Sequence, residues 1–396
     1  MKKKQLYISM LITVLLASCA GADEMSGPDT TDTEYPAIQF NPVVSASGVE
    51  QTRVLTGTDG TEYFPTGDHN IGIYMLEPGT ATTTPIPYTF AWEGVTTSAT
   101  QYSNVRATLN ANRSATSIHK WTSFTQYGGV ALTPANRMTF GHASASTGKT
   151  ADFYAYYPHV QTASTPINAI PFTLSIDKDV TDILYACHTG FSYDTDVKNA
   201  YPVQLDFRHA LSLISFKVIN QGKEDVIVSG GGIVDVVGAT NHFVYTKCTM
   251  DLTTAKIDVV DTNGTNGNYC KVTPDTPGTR STTLATNVTV PKHNGTVPGE
   301  SAGDIVNITL PYVRYSLGAQ PEIRAYLTVS YATSSTGGFA TSYGTLKVPE
   351  ITPGVYGFQQ GYKYSYEITV TSTGISFGDV KIAEWVGATT QPGVII

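Results

Sequence analysis

Apolar residues recur at every second position, or in short unbroken runs, along most of this chain, and Gly, Pro, Asn and Asp separate the runs. Side chains alternate between the two faces of a strand, whereas a helix needs a stripe of period 3.6, so the pattern predicts short strands. In the first half the predicted strands are IGIYML from Ile71, YTFAW from Tyr88, DFYAYYP from Asp152 and ILYA from Ile183. The second half continues with VQLDF from Val203, LISFKVIN from Leu213, VIVSGGGIVDVV from Val226 and IVNITLPYV from Ile305. IRAYLTVSY from Ile323, YSYEITVTS from Tyr364 and VKIAEWV from Val380 complete the series. Only brief turns such as Arg208 to Leu211 read as helical. Many short strands with turn signals between them predict an all-β fold of sandwiches or open barrels. Cys187, in ILYAC, continues an apolar strand and is expected in a core.

Two segments precede this series. Lys2, Lys3 and Lys4 lead into an apolar run from Leu6 to Leu16, too short for the roughly 20 residues that cross a bilayer. Leu16-Ala17-Ser18-Cys19 follows and resembles a lipobox, so residues 1–18 are expected to be a lipoprotein signal peptide and Cys19 the lipidated residue. The alternative is a plain secretory peptide with an incidental cysteine. Ala20 to Thr33 is too polar to order itself and reads as a tether. Next comes AIQFNPVVSASGVEQTR, where Ile38, Phe40, Val43 and Val44 predict a peripheral or replaceable strand broken at Pro42, before polar chain ending at Arg53.

Composition narrows the classes. Charged residues make up only 14% of the chain, against an average of about 25%, while 41% is hydrophobic, which favours a hydroxyl-rich sheet protein. A net charge of -8 leaves no basic face for a phosphate backbone, so nucleic acid is not an expected partner. G-x-S-x-G, H-E-x-x-H, Walker A and dinucleotide motifs do not occur, and His69, His119, His142, His159, His188, His209, His242 and His293 are dispersed. No enzyme activity, metal or cofactor is therefore expected, although a glycosidase carboxylate pair, which meets only in space, stays open. Asp177-Lys178-Asp179 with Asp182, Asp194-Thr195-Asp196 and Asp261-Thr262-Asn263-Gly264 are fragments of calcium loops or ordinary Asx turns. Cys248 and Cys270 flank the turn-rich DTNGTNGNY and pair if that stretch is a hairpin, a closure worth about 3 kcal/mol; otherwise they are two buried thiols. Polar DTDVKNAYP, from Asp194, marks a domain boundary near Asp194 to Val203.

An arginine shortly before the first body strand, then GDHNIGIYML, FYAYYPH, DILYA, LDFRHALSLISFKV and YSYEITVTSTGISFGDVKIAEWV, in that order, resembles the fimbrillin-like family of Bacteroides-type surface pilins. The most specific piece is Leu205-Asp206-Phe207-Arg208-His209-Ala210-Leu211-Ser212, with FYAYYP and Trp385 next. The resemblance implies two transthyretin-like Greek-key β-sandwich domains in tandem, over 54–200 and 201–396. It implies export as an outer-membrane lipoprotein, with Asp23 and Glu24 similar to a surface-export signal. An arginine-specific protease would then remove the tether and pro-segment, residues 19–53, by cutting between Arg53 and Val54.

Loss of the strand carrying Ile38, Phe40, Val43 and Val44 would leave an unpaired sheet edge, which another pilin subunit fills by strand addition, head to tail. The candidate donor is the tail after Trp385, ending Val394, Ile395 and Ile396; Pro392 and Gly393 are poor residues for an inserted strand, which leaves stalk and tip roles open. The tail otherwise stays in its own sheet. The implied destination is a fimbrium that contributes to adhesion, its receptor unidentified and its membrane contact confined to the lipid anchor of the precursor. A different class is a surface lipoprotein that never polymerises and binds glycans through Tyr- and Thr-rich loops at Thr80 to Pro87 and Ser114 to Tyr127.

Overall fold

The structure is a computed structural model describing residues 35–44, 55–56, 62–63, 70–79, 87–91, 99–109, 121–125, 137–161, 166–174, 182–234, 243–245, 247–259, 282–331 and 338–385. It is all-β, as the alternation predicts. The first strands are β1 (Phe40–Val44), β2 (Leu55–Thr56), β3 (Glu62–Tyr63), β4 (Asn70–Leu76), β5 (Thr89–Ala91), β6 (Ala99–Gln101), β7 (Val105–Leu109) and β8 (Trp121–Thr125). A one-turn helix, α1 (Ala143–Ser146), precedes β9 (Thr150–Tyr157), β10 (Ile170–Thr173) and β11 (Leu184–Ser192). A π-helical turn, Tyr193–Val197, leads to β12 (Val203–His209), β13 (Ser212–Asn220), β14 (Val226–Val234), β15 (Lys247–Asp251) and β16 (Lys256–Val259). There follow β17 (Thr282–Val290), β18 (Gly299–Glu300), β19 (Val306–Leu310), β20 (Val313–Ser316) and β21 (Glu322–Tyr331). The last are β22 (Ala340–Lys347), β23 (Glu350–Thr352), β24 (Val355–Phe358), β25 (Tyr362–Val370) and β26 (Ile375–Glu384).

A nine-stranded sheet runs β2-β3-β1-β12-β11-β9-β4-β7-β8. Its central strands are covered on both faces, and their alternation divides side chains between two cores. Ile71, Ile73 and Met75 of β4, Phe153, Ala155 and Tyr157 of β9, and Val203, Leu205 and Phe207 of β12 enter one core. Tyr74 and Leu76 of β4, with Tyr156 of β9, enter the other. Burial on both sides explains why β4 reads as a continuous apolar run.

Cover on the second face comes from a three-stranded sheet, β10-β15-β16, whose register pairs Phe172 with Cys248. This pairing joins a strand from the first half of the chain to two from the second. The core beneath it gathers Ile170, Phe172, Met250 and Ile257 with Ala210, Leu211, Leu213 and Trp385. A separate core fills the second half, between a sheet of β13, β18, β19, β25 and β26 and a sheet ordered β17-β14-β21-β22. Ile214, Phe216 and Val218 of β13 and Ile323, Ala325, Leu327 and Val329 of β21 lie in it. Each such Val, Leu, Ile, Met or Phe side chain contributes about 1.5–3 kcal/mol when fully buried.

Two expectations change. Arg208 and His209 are strand residues at the end of β12, and Ala210 and Leu211 form a buried bend, because backbone pairing to Leu184 and Tyr185 outweighs the local turn signal. Cys187 is exposed: it shares a face of β11 with Tyr185, but the cover over that face ends before it. The chain changes sheet between β12 and β13, across Ala210 and Leu211.

Candidate assembly site

The segment expected to be removed occupies a structural strand position. β1 lies parallel to β12, with Phe40 opposite Val203, Pro42 opposite Leu205 and Val44 opposite Phe207. Its backbone is fastened just outside the ladder as well: Val203 N donates to Gln39 O and Ile38 N donates to Met138 O, both at 2.8 Å. Pro42 lies inside the strand and does not break it. Proline lacks an N–H, yet among the described residues β3 pairs with β1 only at Val44 with Glu62, so one ladder alone has to be satisfied along most of the strand. Tyr35, Ile38 and Phe40 are buried in the first core. Phe40 meets Phe153 edge to face at 5.5 Å between centroids, and Tyr35 meets His142 in the same manner at 5.3 Å. The side chains of Val43 and Val44 lie outside the described residues, although their backbone register is defined.

The far end of β12 reaches a second feature. His209, its last residue, stacks on Trp385 with centroids 3.7 Å apart and planes 7° from parallel. His209 Nδ1 donates to Asp182 Oδ2 at 2.9 Å, the carboxylate being the acceptor, and all three residues are buried. Trp385 N donates to Gly361 O at 2.6 Å. The most specific word of the sequence, LDFRHALS, and the final tryptophan thus meet in space. Sequence spacing gave no sign of this contact.

The fimbrillin-like family model matches residues 52–385. This chain belongs to the fimbrillin-like family. Among solved structures, the fimbrillin-like chain is similar to a fimbrial protein from Bacteroides vulgatus at 16% identity, covering 88% of this chain and 99% of that one, with a TM-score of 0.45. It is also similar to a protein from Bacteroides ovatus provisionally assigned to cell adhesion, at 15% identity over 90% and 99% of the two chains and a TM-score of 0.44. A third is the tip fimbrial protein Mfa3 from Porphyromonas gingivalis with C-terminal truncation, at 10% identity, covering 88% and 100%, with a TM-score of 0.34. No curated protein sequence matches this chain.

Several predicted positions of this fimbrillin-like protein, Cys19, Arg53, Val54, Cys270, Val394, Ile395 and Ile396, lie outside the described residues. Cys248 is a buried free cysteine, its thiol pushed up to about 12 by burial. Asp194 Oδ2 accepts from Gly148 N and Asp196 Oδ2 from Ser192 N, each at 2.6 Å, so these carboxylates cap backbone amides. Among the described residues no group of three His, Cys, Asp or Glu is placed to hold a metal, and no helix is long and apolar enough to cross a membrane.

Proposed function

We propose that this protein is a structural subunit of a surface fimbrium, exported as a lipoprotein through Cys19, matured by cleavage after Arg53 and assembled by strand addition. The observation that carries the reading is the seat of β1: a segment upstream of Arg53 fills a strand position beside β12 and buries Tyr35, Ile38 and Phe40 in the first core. The family match begins at residue 52, one residue before Arg53. Removing β1 would uncover the edge of β12 from Val203 to Phe207 together with an apolar groove, and a strand from a neighbouring subunit is the natural filler of both. The C-terminal segment after Trp385 is the proposed donor. Head-to-tail use of unlike surfaces builds an open filament.

Limited digestion of the signal-less protein with an arginine-specific protease, followed by N-terminal sequencing and a size measurement, tests this. A stable body beginning at Val54 that forms ladders or captures a partner pilin is the expected result, and cutting without assembly assigns a tip or capping role. Absence of a preferred cut at Arg53 would overturn the maturation scheme in favour of a surface lipoprotein that does not polymerise.

A further inference from the structure

We infer that β12 couples the seat of β1 mechanically to the root of the C-terminal segment, so that pulling load passes between them through the His209–Trp385 stack. The inference rests on the assembly reading only for the origin of the load. One strand carries both contacts: Val203 to Phe207 hold β1, and His209, at the end of the same strand, holds Trp385. Such a path bypasses most of the second core.

Without this stack, β26 is badly placed to bear tension. Among the described residues it is an edge strand, bonded only to β25 within its sheet, and its last ladder pair is Glu384 with Tyr362. Tension applied beyond that pair breaks the hydrogen bonds of an edge strand one rung at a time. Ile375, Phe377 and Val380 pack against the second core, but Lys381 to Glu384 are exposed and give the final rungs little side-chain support. Trp385 comes directly after them and is only 3% exposed. Chain leaving the body must therefore extract a buried indole, and break its amide bond to Gly361 O, before the first rung of β26 is loaded.

The other half of the path resists for a different geometric reason. β1 runs parallel to β12, so its leading end lies beside Val203 while His209 stands at the opposite end of β12. Tension between the start of β1 and His209 shears the ladder and loads its bonds together. Asp182 fixes the histidine laterally, and Leu184 pairs with His209 in the β11 ladder, so the anchor is tied into the sheet interior.

Single-molecule force spectroscopy on the full chain, with handles at its two ends, tests the coupling. The unsubstituted protein is expected to show no short early event. Trp385→Ala is expected to add one at a force clearly below the first wild-type rupture, because peeled rungs give way singly. That event gains roughly 35 Å of contour from the 10 residues of β26 at ~3.5 Å each. His209→Leu is expected to act in the same direction, and Glu384→Ala to leave the trace unchanged. An unaltered trace for Trp385→Ala, or an equal change for Glu384→Ala, would overturn the inference. If Trp385→Ala does not fold, Trp385→Phe reads the same quantity, with an intermediate force expected and an unaltered force refuting. Each molecule is pulled through its own ends, so a wild-type protein that fails to polymerise would sink the assembly reading and leave this result standing.

Discussion

Phe40→Ala, placed in the segment that fills the strand seat, probes how that segment is held. Phe40 is 7% exposed and packs edge to face on Phe153. Truncating a buried Phe costs about 3–5 kcal/mol, through lost transfer energy and the cavity left behind. The lower figure alone corresponds to roughly a hundredfold in an equilibrium constant. The assay begins with the folded chain cut after Arg53 and freed of its leading segment; a peptide spanning residues 35–44 is then titrated back by calorimetry. Association costs about 4–15 kcal/mol in lost freedom before any contact is made, so a short strand with three buried anchors is expected to bind between micromolar and millimolar. Binding that weak is what the proposed displacement by a longer strand requires. The Phe40→Ala peptide is expected to bind at least about a hundredfold more weakly, whereas Gln39→Ala, whose side chain is only half-buried and whose carbonyl bond to Val203 is retained, changes affinity little. Equal affinity for the Phe40→Ala and unsubstituted peptides would refute the reasoning, because the binding energy would then not reside in the groove beside β12.

Other expectations follow from packing and charge. At Gly344 an added Cβ would lie 2.0 Å from Phe377 Cδ2, so Gly344→Ala is expected to destabilise by about 1–3 kcal/mol in denaturant unfolding. Gly303→Ala, which meets nothing within 4 Å, should be close to neutral in the same measurement. Mass mapping after brief alkylation near neutral pH is expected to find Cys187 modified and Cys248 protected, since only the former is exposed; fast labelling of Cys248 would contradict its burial. Burial pushes the Asp304 carboxyl upward, but Lys363 Nζ at 2.5 Å and the hydroxyls of Ser215 and Ser365 more than offset this, and it titrates below the ordinary carboxylate value. A depressed folded pKa stabilises above the unfolded value, about 4, and that contribution disappears as pH falls through the folded pKa. Asp304→Asn should therefore lower Tm at neutral pH, with the difference from wild type shrinking toward pH 2; a difference constant across that range would exclude the ion pair as its source.

Much of the strand inventory was legible because alternation is a local signal. IGIYML, DFYAYYP, LISFKVIN, IRAYLTVSY and YSYEITVTS all lie at strands, and Phe40 opens β1, with Ile38 just ahead of it. Legibility stopped where an assignment depended on a partner far along the chain. Arg208 to Leu211 looks like a turn in isolation, yet Arg208 and His209 pair with Tyr185 and Leu184. Cys187 sits in an apolar run that promises burial, but whether a face is covered is set by a different sheet. Pro42 suggests a break, and the strand continues because β1 has only one full ladder to satisfy.

The sequence by itself determined the all-β class, most strand positions and the family, since strand periodicity and the ordered words of a family are written in neighbouring residues. Tertiary structure alone decided that β10 pairs with β15, that the central sheet is buried on both faces, and that His209, Asp182 and Trp385 form one contact. A period of two says that a side chain points to one face or the other. It carries no information about what packs on that face, which is fixed by pairings between segments remote in the chain.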